Sequence, residues 1–84
     1  MRGVYQQADG TVLVDGATLV SVLNHEMAWA LPEQPATTIA GLLIYETSAI
    51  PEPGQVLAFY DFRFQVMRRD RNRVTTLKMT PLKN

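Results

Sequence analysis

At 84 residues, the chain is of a size to bury only roughly 60 to 65% of its unfolded surface, which makes one small domain and excludes a deep catalytic cavity. Its 46% hydrophobic and 19% charged residues are ordinary for a folded domain, and the formal net charge of zero hides a split: residues 1–60 set Arg2 against Asp9, Asp15, Glu26, Glu33, Glu46 and Glu52, for −5, while residues 61–84 set seven cations against Asp61 and Asp70, for +5. The absence of cysteine excludes a disulfide framework and a thiolate metal site; no apolar run approaches the ~18 to 20 residues of a membrane span, and the N-terminus lacks the apolar core of a signal peptide, so the chain as it stands is expected to be soluble.

Residues 4–7 and 11–14 form two β-prone runs around Ala8-Asp9-Gly10, a hairpin signal. Asp15-Gly16 closes the second run. Leu19, Val20, Leu23 and Met27 then recur at helical spacing, which predicts a helix over 18–26 with Thr18 as its N-cap and Asp15 in support. Pro32 and Pro35 forbid a continuous helix through "AWALPEQPA", and Trp29 and Leu31 give this connection the apolar mass of a packed loop.

Thr37 or Thr38 is the expected cap of a second helix, whose stripe is Ile39, Leu42 and Leu43, broadened by Ile44 and Tyr45. A helical glycine costs on the order of 1 kcal/mol relative to alanine, so Gly41 predicts close packing of the helix on the sheet. Ser48-Ala49 end the helix, and "IPEPG" stops it from resuming. Beyond Gly54 the pattern alternates: "VLAFY" is one strand, and in "FRFQVMRRD" Phe62, Phe64 and Val66 take one face while Arg63, Gln65 and Met67 take the other. Arg71-Asn72 make a turn. In "RVTTLKM" Leu77 and Met79 are out of phase with Val74, which predicts a bulge or twist near Thr75. The fold class is α+β, two helices on a mainly antiparallel sheet in the order β-β-α-α-β-β-β.

The residues offer little catalytic machinery. His25 adjoins Glu26 near a helix end, where neighbours one apart point in different directions and a C-terminal imidazole suits the helix dipole. No Ser-centred elbow and no acid, base and nucleophile set can be named. Asp9 and Asp15 sit beside glycines, as turn geometry alone requires, with weak binding of a divalent ion by their oxygens the lesser alternative. The glycines are too far apart for a phosphate loop. Arg63, Arg68, Arg69, Arg71 and Arg73 form a basic cluster, best read as a solvated or domain-contacting surface; Phe62 and Phe64 alternate away from the nearest arginine, which argues against a nucleic-acid stacking platform.

The ordered set Asp9-Gly10, Asp15-Gly16, Leu23-Asn24, Leu31-Pro32-Glu33, Thr38-Ile39-Ala40-Gly41-Leu42, Ile50-Pro51, Pro53-Gly54 and Phe62-x-Phe64-x-Val66 resembles the transporter-associated domain of the CorC/HlyC family over residues 8–79. The sequence departs from the family at "AFYDFRF", where a glycine-bearing turn is usual, and at Trp29. The resemblance implies a single domain over 1–84, cut from the C-terminal end of a longer CBS-containing protein on the cytoplasmic side of a membrane. It implies a non-catalytic accessory role in magnesium or cobalt efflux or in a haemolysin-like protein. The partners implied are the CBS-domain pair, the membrane domain or a second copy, and not nucleic acid. It also implies a fold related to a small subdomain of FAD-binding proteins; FAD follows from that analogy alone, no cofactor is expected from the residues, and a small-ligand module for nucleotide, flavin or divalent metal is the alternative function.

Overall fold

The computed structural model describes residues 3–82; Arg2 and Lys83, counted in the charge split, lie outside them. Seven elements follow in chain order: β1 (Val4–Gln6), β2 (Val12–Asp15), α1 (Val20–Met27), α2 (Ile39–Thr47), β3 (Val56–Phe59), β4 (Phe62–Asp70) and β5 (Arg73–Pro81). The strands form one antiparallel sheet in the order β1-β2-β5-β4-β3. The two hairpins therefore meet along β2 and β5.

Register decides which residues enter the core. Val4, Val14, Leu77 and Val66 stand in one row across the sheet, and Gln6, Val12, Met79, Phe64 and Leu57 in the next row on the same face. Val20 and Leu23 from α1, Ile39, Leu42 and Leu43 from α2, and Leu31 from the connection bury against this face. Each such side chain contributes about 1.5–3 kcal/mol on full burial. The helices need that packing, because 8 and 9 residues are fewer than the ~12 to 15 that sustain an isolated helix.

The phase break near Thr75 is present. Pairing slips between Val66 and Arg68 on β4 and again between Arg68 and Arg69, opposite Leu77, Thr76 and Val74. The slips leave Met67 and Thr75 without ladder partners and let Val74 enter the core only three residues before Leu77. The Thr75 carbonyl accepts instead from the Gly16 amide, at 3.0 Å.

Three local expectations are corrected. Helix α1 begins at Val20 with Leu19 as N-cap and no side-chain capping bond. The Thr18 hydroxyl donates to the Gly3 carbonyl at 3.4 Å, and the Asp15 carboxylate accepts from the Ala17 amide in a turn before the helix. Unpaired amides at helix starts are met by the neighbouring loop: Val20 N–H donates to the Thr37 carbonyl (2.8 Å), Ile39 N–H to that of Thr18 (3.0 Å) and Ala40 N–H to that of Gly16 (2.9 Å). Each helix start thus caps the other, which relieves Thr18 of that task. Leu19, placed on the apolar stripe by spacing, is exposed, and the buried face of α1 is Val20, Leu23 and Asn24.

Gly41 is the third correction. A Cβ there would meet the Thr38 hydroxyl oxygen at 2.9 Å, so the space it leaves serves the N-cap of its own helix. The glycine that admits close approach to the sheet is Gly16, where a Cβ would lie 2.0 Å from the Val74 carbonyl oxygen and 3.1 Å from Ala40 Cβ.

The connection between the helices is packed, as Trp29 and Leu31 imply. Trp29 rests on Phe62 with ring centroids 4.4 Å apart and the planes tilted by 52°, at the short limit of favourable aromatic pairs. Asn24 holds the loop: its Nδ2 donates to the Leu31 carbonyl (2.8 Å) and to Glu33 Oε2 (3.0 Å), and its Oδ1 accepts from Leu31 N–H (2.9 Å). Tyr60 and Asp61 join β3 to β4 with φ of 57° and 67°, so the departure from a glycine-bearing turn is met by two non-glycine residues in the left-handed region.

Candidate functional site

The titratable side chains with catalytic potential are dispersed or committed to turns. Asp9 lies in the turn that precedes β2 and Asp15 is the last residue of that strand, so the length of β2 stands between the two carboxylates. Asp9 Oδ1 accepts from Thr11 Oγ1 (2.7 Å) and Thr11 N–H (3.0 Å). Those two bonds, the side-chain one first, hold its carboxyl below the ordinary range. His25 is exposed on the last turn of α1. Among the described residues no group of three or more His, Cys, Asp or Glu converges on a point.

A cleft lies beside the start of α2. It measures about 260 Å³ and is lined by Asp15, Gly16, Thr38, Gly41, Asn72 and Arg73 among others. This is the place where β2, α2 and the β4–β5 turn meet, so the close approach of Gly16 shapes its floor.

The five arginines of the basic cluster do not form one patch. Arg69 turns toward the 50–55 segment: its Nη1 lies 2.7 Å from Glu52 Oε2 and 3.4 Å from the Ile50 carbonyl, and its Nε donates to the Arg71 carbonyl at 2.6 Å. This exposed pair contributes at most about 1 kcal/mol and serves to fix the segment after α2. Arg71 occupies the β4–β5 turn with φ of 58°, and Arg73 borders the cleft. Arg63 and Arg68 stand on the sheet face opposite the core, where Arg73, one residue before buried Val74, pairs in register with Asp70 near the turn. Phe62 and Phe64 are buried on the other face, out of reach of any stacking base.

That second face is not covered by a helix. Its central row is Tyr5, Leu13, Lys78, Gln65 and Val56. Arg63 stands between Thr80 and Ala58 on one side of the row, and Asp15, Thr76 and Arg68 align on the other. Tyr5, Val56 and Met67 are exposed. The spacing of the sequence announced the alternation that produces this face. It could not announce which strands lie side by side, and so the row of apolar and basic residues was not visible in it.

The comparisons agree with this architecture. The family model for the transporter associated domain, CorC_HlyC, matches residues 5–83. The inner membrane protein YfjD of Escherichia coli (strain K12) is 29% identical over 80 residues, which are 95% of this chain and 19% of that protein; the chain thus spans about a fifth of the length of this relative. A solved structure from Neisseria meningitidis MC58, named a Mg2+ and Co2+ transporter (CorC) associated region, superposes with a TM-score of 0.86 at 25% identity, covering 94% of this chain and 98% of that one. The transporter associated domain from a CBS domain protein of Porphyromonas gingivalis superposes with a TM-score of 0.82 at 27% identity, covering 96% and 99%. With nearly its whole length matched, the chain belongs to the CorC/HlyC family of transporter-associated domains.

Proposed function

We propose that the chain is a non-catalytic accessory domain of a larger ion-transport protein, and that it acts by docking. The observation that carries this reading is the division of labour in the side chains. Asn24, Thr38, Asp9 and Asp15 are spent on the fold, while the uncovered sheet face holds exposed Tyr5, Val56 and Met67 beside Arg63 and Arg68. A face of this kind binds another surface and performs no chemistry. Among the described residues no helix is long and apolar enough to cross a membrane, so the parent protein would supply the membrane domain, with this unit on its cytoplasmic side next to a CBS-domain pair. A docked domain shifts a transport equilibrium only by contacts that differ between two states of its neighbour.

The test is a pair of measurements on the parent protein. Deleting the domain should change magnesium or cobalt efflux while leaving the membrane domain folded, and the isolated domain should bind the CBS pair in calorimetry. Unchanged efflux together with no heat of binding overturns the proposal.

The cleft beside Gly16 and Thr38 favours a second reading, that of a small-ligand module. Its test is thermal unfolding with FAD, ATP, magnesium or cobalt. A ligand at 100 times its dissociation constant stabilises by about 2.7 kcal/mol, a shift of at least ~10 °C in a domain this small.

A further inference from the structure

In the two rows that flank Lys78 the uncovered sheet face has its acids and arginines on different strands, while Asp70 and Arg73 pair in register with each other beyond these rows, next to the β4–β5 turn. The β2–β5 register carried one residue further sets Thr11 beside Thr80, in the row of Arg63, and Thr11 holds the Asp9 carboxylate. In the opposite row Asp15 stands two strands from Arg68, with Thr76 between them. In these two rows the acids therefore flank β5 on the β2 side, and the arginines flank it on the β4 side. Two strand spacings, roughly 10 Å, keep each acid from the arginine of its own row. The ion pair found among the described residues is Arg69–Glu52.

We propose that this face associates with a second copy of the chain, sheet on sheet, about a two-fold axis that runs along β5; the inference deepens the docking function and rests on it. The axis lays β2 over β4 of the other copy. Arg68 meets Asp15 of the partner subunit, Arg63 meets Asp9 of the partner subunit, and Tyr5 meets Val56 of the partner subunit. The long arginine side chains span the offset that arises when aligned sheets cross at about 30°. An axis in the sheet plane but across the strands would set Arg68 over Arg63 instead, so the charges select the first arrangement. The contact is isologous and closes at two copies.

Lys78 is the exception that makes the geometry testable. It lies on the axis, in the middle of β5, and meets its own counterpart there. Its charge helps to hold the Asp9 carboxyl low, and its stem fills the centre of the contact. The outline of the molecule, 30 × 26 Å in its two longest directions, puts the contact at or below the ~800 Å² per partner of a standard interface. The dimer is accordingly weak for the isolated chain, and is strengthened where two parent proteins hold their domains together.

Sedimentation equilibrium of the 84-residue chain at low salt, from about 10 μM to 1 mM, should show the mass rising from monomer toward dimer, with the rise suppressed by added salt. Arg68→Asp and Asp15→Arg should each be monomeric, and an equimolar mixture of the two should associate, because each then offers the charge the other lacks. Lys78→Gln should tighten the dimer about two- to fivefold by removing the like-charge contact on the axis. Since Asp15 also accepts the Ala17 amide, circular dichroism must show that its variant folds; Lys78→Gln and Val56→Asp decide the matter if it does not. A wild-type chain monomeric throughout, a dimer indifferent to Arg68→Asp, or weakening by Lys78→Gln each overturns the proposal. So does binding of the face to phosphatidylserine vesicles or to the CBS pair without self-association, and in that last case the docking function itself stands.

Discussion

A methyl group at residue 16 would stand 2.0 Å from the Val74 carbonyl oxygen, so the backbone of Val74 leaves no room for a side chain at Gly16. The same glycine donates its amide to Thr75 and accepts from Ala40, and so ties β2 to the sheet on one side and to α2 on the other. Gly16→Ala should cost about 3 kcal/mol or more, because the neighbour is backbone and cannot swing aside. Gly41→Ala meets only the Thr38 hydroxyl; the gain in helix propensity and the strain on the cap are each about 1 kcal/mol and of opposite sign. Urea unfolding of the two variants should differ by at least ~2 kcal/mol, and equal midpoints would refute the account.

Asn24 satisfies both backbone groups of Leu31 within the core. Asn24→Ala leaves a buried N–H and a buried carbonyl without partners, which predicts a loss of about 2–4 kcal/mol. The Leu31 amide should also lose its protection from hydrogen exchange before the sheet does. Protection that survives the substitution would mean that the loop is held by Trp29 and Leu31 packing alone.

Thr38 and Thr18 resemble each other in sequence and differ in structure. Thr38→Ala removes the oxygen that accepts from the Gly41 amide at 3.0 Å and should destabilise by about 1 kcal/mol. Thr18→Ala removes only a long bond to the Gly3 carbonyl and should cost less than about 0.5 kcal/mol. Thermal unfolding of the pair ranks them, and a larger effect at Thr18 would contradict the mutual capping of the two helices.

The depressed Asp9 carboxyl has a definite consequence for pH. A carboxyl with a folded value below its unfolded one stabilises the fold above the unfolded value, near ~4, and loses that contribution as the pH falls through the folded value. Thr11→Val removes the larger of the two bonds responsible. An NMR titration should find the Asp9 midpoint higher in this variant than in the wild type. An unchanged midpoint would assign the shift to the backbone amide or to Lys78.

Tyr60 and Asp61 both have positive φ in a two-residue hairpin loop, the conformation for which Asn-Gly is preferred. The double substitution Tyr60→Asn, Asp61→Gly should therefore stabilise the domain by about 0.5–1 kcal/mol. A fall in the unfolding midpoint would indicate that the Tyr60 ring, 6.2 Å from Phe59, outweighs the backbone strain.

Much of the fold was legible before the structure. Alternation in "FRFQV" placed Phe62, Phe64 and Val66 inside, and the broken phase between Val74 and Leu77 announced the slipped register on β4 and β5. The Asp9-Gly10 turn and the Ile39, Leu42, Leu43 stripe are likewise where spacing put them, and of the two threonines offered as the second cap the structure takes Thr38. All of these depend on residues within a few positions of one another, which a pattern along the chain records directly. The ordered glycines, prolines and apolar residues also sufficed to identify the family.

The tertiary structure decided what depends on distant segments. Thr18 looks like a cap until the Thr37 carbonyl arrives to take the Val20 amide. Gly41 looks like the point of close approach until Val74 is found against Gly16. The five arginines look like one patch until the sheet sends Arg69 to Glu52 and leaves Arg63 and Arg68 on the open face. Sequence determined the elements, because local sterics and periodicity choose helix or strand. Only the pairing of β2 with β5 determined the surface, because it unites residues more than sixty positions apart whose neighbourhood no local rule encodes.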